Sequence, residues 1–403
     1  MISTLYKNID KDLLKEKVLR INSDIKKDGF KLITDSTIKS GRLLTGYSYG
    51  EIYDWDLYFE TIYMSYLGVP NYCRNNVEAF LDKQLECGFV ARTLKVPRMR
   101  QHFKPFLAQV ALLGLKQGQK PTWLEGKHYT RLKKYLDYWF WFSDFDKNGL
   151  PVWDSADHTG MDNQILRAGP LYSQYCEGVD LASYLYREFK AMCVIAELLG
   201  ETEDIKYFEE QAENLKTKVN ELLWDEKDGF YYDRNERTGE LIKYKSASSF
   251  TVLWAGIATQ ERAKILIEKH LLNEKEFWLD YPISSWAKNE EGYYQQRQGK
   301  ECTWMGACWI PINYMVMHGL VNYGYKEKAE ELAVKTFDMV FEEDEIREYY
   351  NAENGTGQGL NPFFGWSTLG LFMPFELRAN NDPTKINMDK TIKFAVDELN
   401  VKF

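Results

Sequence analysis

No run of about 20 apolar residues occurs in the 403-residue chain, so no membrane-spanning helix is expected. Histidine is scarce, five residues, and shows no HExxH or other metal-ligand spacing. None of the six cysteines belongs to a CxxC pair, so no metal is expected on them, and no other cofactor is expected either. Positive charge is not in excess. Lys and Arg number 51 against 60 Asp and Glu, a net charge of −9, which lacks the basic footprint of nucleic-acid or anionic-membrane binding. The charged, amphipathic N-terminus has no apolar core of signal-peptide type, so the thiols read as reduced and the protein as cytoplasmic. No linker or low-complexity stretch interrupts the chain, and a single domain over 1–403 is expected. Self-association into a homo-oligomer is left open.

Aromatic residues are plentiful: 12 Trp, 27 Tyr and 22 Phe. Most suit a large core. A minority stand beside carboxylates between predicted helices, where flat apolar faces next to hydrogen-bonding groups suit a sugar. Helical periodicity dominates. Tyr129, Leu132, Leu136, Trp139 and Phe140 fall on one face, as do Leu181, Leu185, Met192, Ile195 and Leu199. Phe208, Ala212, Leu215, Val219 and Leu222 give a third stripe; Val77, Phe80, Leu81 and Leu85 give a shorter one.

The pattern predicts twelve helices, over 10–28, 55–67, 72–86, 104–117, 127–143, 180–199, 203–223, 247–257, 260–272, 302–319, 326–341 and 366–375. Gly229–Asp233 reads as extended. Short and long connections alternate. Six helical hairpins with their long loops on one rim make an all-α (α/α)6 barrel the expected fold, and long loops without regular structure tend to be functional.

Those loops carry the chemistry. The first ends in Tyr49-Gly50-Glu51-Ile52-Tyr53-Asp54-Trp55-Asp56, and the third contains Asp154, Asp157 and Thr159-Gly160-Met161-Asp162-Asn163. The fifth runs into Cys302-Thr303-Trp304-Met305-Gly306-Ala307-Cys308-Trp309, and the sixth contains Glu348-Tyr349-Tyr350-Asn351, Glu353 and Gln358. Cleaving a glycosidic bond takes two carboxyl groups, standing about 6.5–9.5 Å apart when the anomeric configuration inverts. Asp154, Asp157, Asp162, Glu348 and Glu353 are all candidates, and chemistry alone does not choose between them. Asp154, followed by Ser, suits a loop brace, and Asp146-Lys147-Asn148-Gly149 reads as a structural turn.

In this order, over about Tyr47 to Phe375, the segments resemble glycoside hydrolase family 63 and its neighbours the trehalases. The compact bacterial members, hydrolases of mannosylglycerate and glucosylglycerate, are most similar. The resemblance implies an inverting (α/α)6-barrel hydrolase of short α-glucosides or α-mannosides. Thr-Gly-Met-Asp-Asn is similar to the family's Ser-Gly-Met-Asp-Asn, which implies Asp162 as general acid. Glu-Tyr-Tyr-Asn is similar to Glu-x-Tyr-Asn, which implies Glu348 as general base. Trp55-Asp56 resembles the family's sugar-holding Trp-Asp, with Tyr49 and Tyr53 on the same loop. Trp304 and Trp309 resemble two pocket tryptophans spaced five apart. Lys104 and Gln358 stand near family sugar contacts, Trp366 is read as a further wall and Asn163 as orienting the acid. The chain departs from the family at Met305, where Trp-Arg-Gly-Pro is usual, and the lost guanidinium weakens the case for a glycerate carboxylate unless Arg98 or Arg100 compensates. It departs again after Asn163, where Arg167 is read as still able to reach the site. Two other functions stand beside this one: a sugar epimerase or isomerase using His102 and His158, and a carbohydrate-binding protein without catalysis.

Overall fold

The computed structural model describes residues 9–32, 42–44, 51–69, 71–94, 101–296 and 302–403. In chain order its main helices are α1 (Lys11–Asp24), α2 (Asp54–Tyr66), α3 (Tyr72–Asp82), α4 (Leu107–Lys116), α5 (Lys127–Phe142), α6 (Val179–Leu199), α7 (Thr202–Leu222), α8 (Thr251–Ala255), α9 (Gln260–Ile265), α10 (Ile310–Asn322), α11 (Lys326–Glu342) and α12 (Met373–Ala379). Each predicted helix has a counterpart.

Burial divides them into two kinds that alternate along much of the chain. Every residue of α2 and α4 is buried, as is α10 from Ile310 to Leu320, and α6 is buried along most of its length. By contrast α3, α5, α7 and α11 bury a stripe and leave the opposite face wet, as an amphipathic 3.6-residue repeat dictates. Leu132, Leu136, Trp139, Phe208, Ala212 and Val219 are all at 0% exposure, where their periodicity put them.

Three expectations needed correction. The helix read over 302–319 begins only at Ile310. Trp309 is extended (φ −120°, ψ 125°), and Pro311 occupies the first turn, where its missing N–H is not needed. The stretch 366–375 is split into a 3-10 segment, Trp366–Leu371, and α12. Leu85 does not extend the stripe of α3, which stops at Asp82, and it is 58% exposed.

The contacts group the chain into two compact units. Unit 1 comprises Met1–Tyr138, Arg187–Glu210 and Pro362–Phe403. A short antiparallel pair, β1 (Phe30–Leu32) and β2 (Arg42–Leu44), follows α1. The core of this unit stacks Tyr58 on Phe106 at 4.7 Å, and the Glu188 carboxylate accepts the backbone N–H groups of Ala108 and Gln109 at 2.9 Å. Those amides are orphan donors in the first turn of α4, so a remote carboxylate caps that helix.

Unit 2 comprises Trp139–Tyr186 and Gln211–Asn361. It holds a four-stranded antiparallel sheet in the order β3 (Val152–Trp153), β4 (Cys176–Glu177), β7 (Asp233–Asn235), β8 (Leu241–Ile242). The predicted extended stretch Gly229–Asp233 contributes β6 (Phe230–Tyr231), paired with β5 (Trp224–Asp225), and the start of β7. The sheet is tied to α6 by a buried charge cluster. Arg167, 1% exposed, lies 2.6 Å from Asp180 and donates to Asp233. Asp233 accepts the Val179 N–H at 2.8 Å, and Asp180 accepts the indole N–H of Trp153 at 2.8 Å. Burial opposes the charge on Arg167, but the two aspartates outweigh it and hold its pKa above the ordinary value. All six cysteines are free thiols, and among the described residues no helix is long and apolar enough to cross a membrane.

Replacing Arg167 by Met would strand two buried carboxylates. The substitution is expected to remove about 3–5 kcal/mol of stability in urea unfolding. A loss under about 1 kcal/mol, the scale of an exposed pair, would contradict this role.

Candidate active site

The loop that carries Asp162 is built by local capping. Ser155 precedes a helical turn, Ala156–Thr159, and its Oγ accepts the His158 N–H at 3.3 Å. Gly160, with φ 87°, ends the turn, and the Thr159 hydroxyl accepts the Met161 N–H at 2.9 Å. The chain is thereby aimed so that Asp162 and Asn163 stand half-buried at the next bend.

Asn163 and Gln164 anchor that bend to a second loop of unit 2. The Asn163 Oδ1 accepts the Trp304 N–H at 3.0 Å, and its Nδ2 donates to the Tyr294 hydroxyl. Gln164, fully buried, donates to the Trp304 carbonyl at 2.8 Å and to the Ser285 carbonyl at 3.2 Å. The Trp304 indole stacks on Trp309 with centroids 3.7 Å apart and planes 5° from parallel, and Trp309 stacks on Tyr349 at 4.3 Å. Tyr349 is the immediate neighbour of Glu348.

Glu348 stands at the mouth of a short hairpin, β9 (Tyr349–Tyr350) against β10 (Gly357–Gln358). Its N–H donates to the Leu360 carbonyl at 3.2 Å, and its Oε2 accepts the Leu360 N–H at 2.9 Å. Gly359 has φ 77°, and a Cβ there would lie 2.5 Å from Glu348 Oε2, so any side chain would displace the carboxylate. Tyr350 exchanges backbone hydrogen bonds with Cys308 at 2.8 and 2.9 Å, which fixes the hairpin beside Trp309.

Two of the other carboxylates read as candidates, Asp154 and Glu353, are engaged elsewhere. Asp154 braces its loop as expected, accepting from Tyr172 N–H at 3.4 Å and the Gln174 amide at 3.2 Å. Glu353 pairs with Lys288 at 2.5 Å and accepts from the Tyr293 hydroxyl at 3.0 Å. Asp146 accepts from the Asn148 N–H at 3.1 Å, the turn expected there. It forms a carboxylate cluster with Asp144 and Glu236 whose ligand atoms lie within 4.8 Å of one another, but Glu236 already accepts the N–H groups of Phe145 and Asp146. Gln358 donates to the Gln295 carbonyl at 3.0 Å. The Met305 side chain is 5% exposed, and its tip lies 2.8 Å from where a Cβ on Gly292 would be. Arg167 pairs with Asp180 and Asp233 and also donates to the Gln164 amide oxygen at 3.4 Å and the Met161 sulfur at 3.6 Å on this loop, and Arg98 and Arg100 lie outside the described residues.

In unit 1 the sequence-predicted residues Tyr53, Trp55, Asp56, Lys104 and Trp366 gather around the first turn of α2. Trp55 meets Trp366 edge to face at 5.6 Å, and both are buried. The Lys104 ammonium, fully buried, sits 2.9 Å from Asp54 Oδ1 and 5.6 Å from the centre of the Trp55 ring. Arg92 lies 3.8 Å from the same aspartate and over the ring of Tyr53. Sequence reasoning missed Asp54 and Arg92, because the pairing joins residues far apart in the chain. Asp56 is 7% exposed, and burial together with the neighbouring Asp54 charge raises its pKa to about 7 despite Lys104 and Arg92. Tyr49 lies outside the described residues.

The two histidines available for proton transfer are locked in cores. His158 stacks on Trp139 at 5.6 Å in unit 2. His102, in unit 1, contacts the Val90 backbone at 3.1 Å and the Tyr135 carbonyl at 2.9 Å, and burial lowers its pKa to about 4.

Residues 49–367 match the model of the mannosylglycerate hydrolase MGH1-like glycoside hydrolase domain. The mannosylglycerate hydrolase of Rubrobacter radiotolerans is 28% identical over 193 residues, 47% of this chain and 41% of that protein. A probable trehalase of Saccharomyces cerevisiae is 32% identical over 176 residues, 41% of this chain and 22% of the relative, so the chain spans well under two thirds of the curated relatives it matches. Among solved structures, the family 63 mannosylglycerate hydrolase of Thermus thermophilus in complex with glucose superposes with a TM-score of 0.71 at 20% identity, covering 89% of this chain and 99% of that one. The neutral trehalase of Saccharomyces cerevisiae gives 0.66 at 18% identity, covering 90% and 82%. At such identities the likeness is one of fold, and the fold is the (α/α)6 barrel that the helix and loop pattern predicted. With the family match taking in most of its length, the chain belongs to the mannosylglycerate hydrolase MGH1-like glycoside hydrolase domain family.

Proposed function

We propose that the chain is an inverting glycoside hydrolase of a short α-glucoside or α-mannoside, with Asp162 as general acid and Glu348 as general base. The observation that carries this is the unbroken series of contacts in unit 2 from the Asp162 bend through Asn163, Trp304, Trp309 and Tyr349 to Glu348. Two motifs distant in sequence share one rigid support, as a two-carboxyl mechanism requires.

The Asp162 proton passes to the glycosidic oxygen as the bond from that oxygen to the anomeric carbon breaks. Glu348 takes a proton from a water whose oxygen attacks that carbon from the opposite face. One water is consumed, and the configuration inverts. The Leu360 N–H on Oε2 orients the base, and Asn163 holds the acid's bend against Trp304. Trp304 and Trp309 are assigned to the sugar's apolar face and Gln358 to its hydroxyls. Tyr49, Tyr53, Trp55, Asp56, Lys104 and Trp366 are assigned sugar contacts on the family resemblance, Lys104 acting through Asp54. We treat residues 1–403 as one catalytic domain and the protein as cytoplasmic, in line with relatives such as the cytosolic neutral trehalase of Kluyveromyces lactis. Relatives named as mannosylglycerate hydrolases and trehalases favour a small glycoside over a polymer. An epimerase reading loses ground because His102 and His158 are enclosed.

Asp162→Asn and Glu348→Gln are each expected to fold and to lower kcat by about 10²-fold or more in a panel of α-glucosides, α-mannosides and their glycerate conjugates. Wild-type turnover in either variant would remove that residue from its role, and sugar binding without hydrolysis in the wild type would favour a lectin-like protein. Proton NMR of the first product formed should show the anomer opposite to that of the substrate; retention would eliminate the water-between-carboxylates mechanism.

A further inference from the structure

Helix α2 opens with three carboxyl groups in seven residues, Asp54, Asp56 and Glu60, at 0%, 7% and 1% exposure. Among the described residues two cations face them, and both are drawn to Asp54. Lys104 Nζ lies 2.9 and 3.2 Å from its two oxygens, and Arg92 Nε lies 3.8 Å from Oδ1. The other charged groups around α2 are engaged elsewhere: Arg187 with Gln109, Glu188 with the first turn of α4, Glu376 with Tyr66, and Arg74 with Glu78. Asp382 acts on Tyr58, and Asp397 is exposed. Glu60 Oε1 is buried and has no hydrogen-bond partner among the described residues.

Asp56 stands four residues before Glu60, on the same face of the helix, with Cβ atoms about 5–6 Å apart. An ionised Glu60 would be a buried, unpaired charge directly beside a second carboxylate, an arrangement that a proton relieves. We propose that Glu60 is a neutral acid whose O–H donates to the Asp56 carboxylate, making Glu60 a positioning residue that fixes the orientation and ionisation of Asp56. The functional consequence rests on the reading of Asp56 as a sugar-binding residue. Burial first, and the Asp56 charge second, raise the Glu60 pKa well above the ordinary range. Asp56 is protonated below about 7 and ionised above it, so substrate binding is expected to tighten as pH rises through that value.

The test uses the full chain as wild type, E60Q and E60L. Infrared spectra of the sugar-free protein, titrated upward in pH, should show a protonated-carboxyl C=O band that persists above neutrality in the wild type and is missing from E60Q. With a hydrolysed glycoside, E60Q, which keeps a neutral donor, should hold KM within about twofold and leave its pH dependence in place. E60L removes the donor, and should raise KM about tenfold and move the ionisation seen in KM upward by about one pH unit, with kcat little changed. A wild-type spectrum without that band overturns the proposal, as does an E60Q shift in the KM ionisation as large as that of E60L. If no glycoside is turned over, the hydrolase reading fails, yet the infrared band still decides the state of Glu60.

Discussion

Ring-to-ring contact between Trp304, Trp309 and Tyr349 fixes, within unit 2, the two loops that carry Asp162 and Glu348. Loops are hard to fix because their backbone polar groups compete for water. Here two of them are fixed by a dry aromatic stack with a hydrogen bond at each end, Asn163 on the Trp304 amide and Leu360 on Glu348. Stacked indoles bury a large apolar area with few rotatable bonds, so the entropy lost on ordering them is small. Loosening the stack would leave both carboxylates attached to their own loops but without a shared frame.

Much of this was legible in the sequence, for a physical reason. Helices write a 3.6-residue repeat into the chain, and the stripes through Leu132, Leu136 and Trp139 or through Phe208, Ala212 and Val219 needed no tertiary knowledge. Reading failed where backbone chemistry overrides hydropathy: the apolar run 302–319 looks helical, but Pro311 sets the true start and leaves Trp304 and Trp309 in a loop. The motifs containing Asp162 and Glu348 were readable because they are contiguous. The partnerships of Lys104 with Asp54, and of Arg167 with Asp180 and Asp233, were not, since ion pairs between distant residues leave no local trace. Glu60 was the least visible of all, the third acid of a helix whose every residue turned out to be buried.

The departures from the family pattern fall on two distinct physical roles. Arg167 lies in the stretch after Asn163 and works as a structural cation between sheet and helix. Met305 is enclosed near Gly292, adjacent to the stacked Trp304, and contributes apolar surface where relatives are expected to carry a guanidinium. The chain thus keeps a cation against the base of the Asp162 loop, on Gln164 and Met161, while its charge is balanced by the buried aspartates of the fold.

The hairpin that carries Glu348 divides into a buried root and an exposed tip. At the root, Gly359 tolerates no substituent and the Leu360 amide clasps the carboxylate. At the tip, Glu353, Asn354 and Thr356 are exposed; Asn354 accepts from Thr356, and Glu353 reaches Lys288 and the Tyr293 hydroxyl. Insertions or exchanges there would redraw the surface beside Glu348 while its carboxylate stays where it is, which makes this short ribbon a natural place for related chains to diverge.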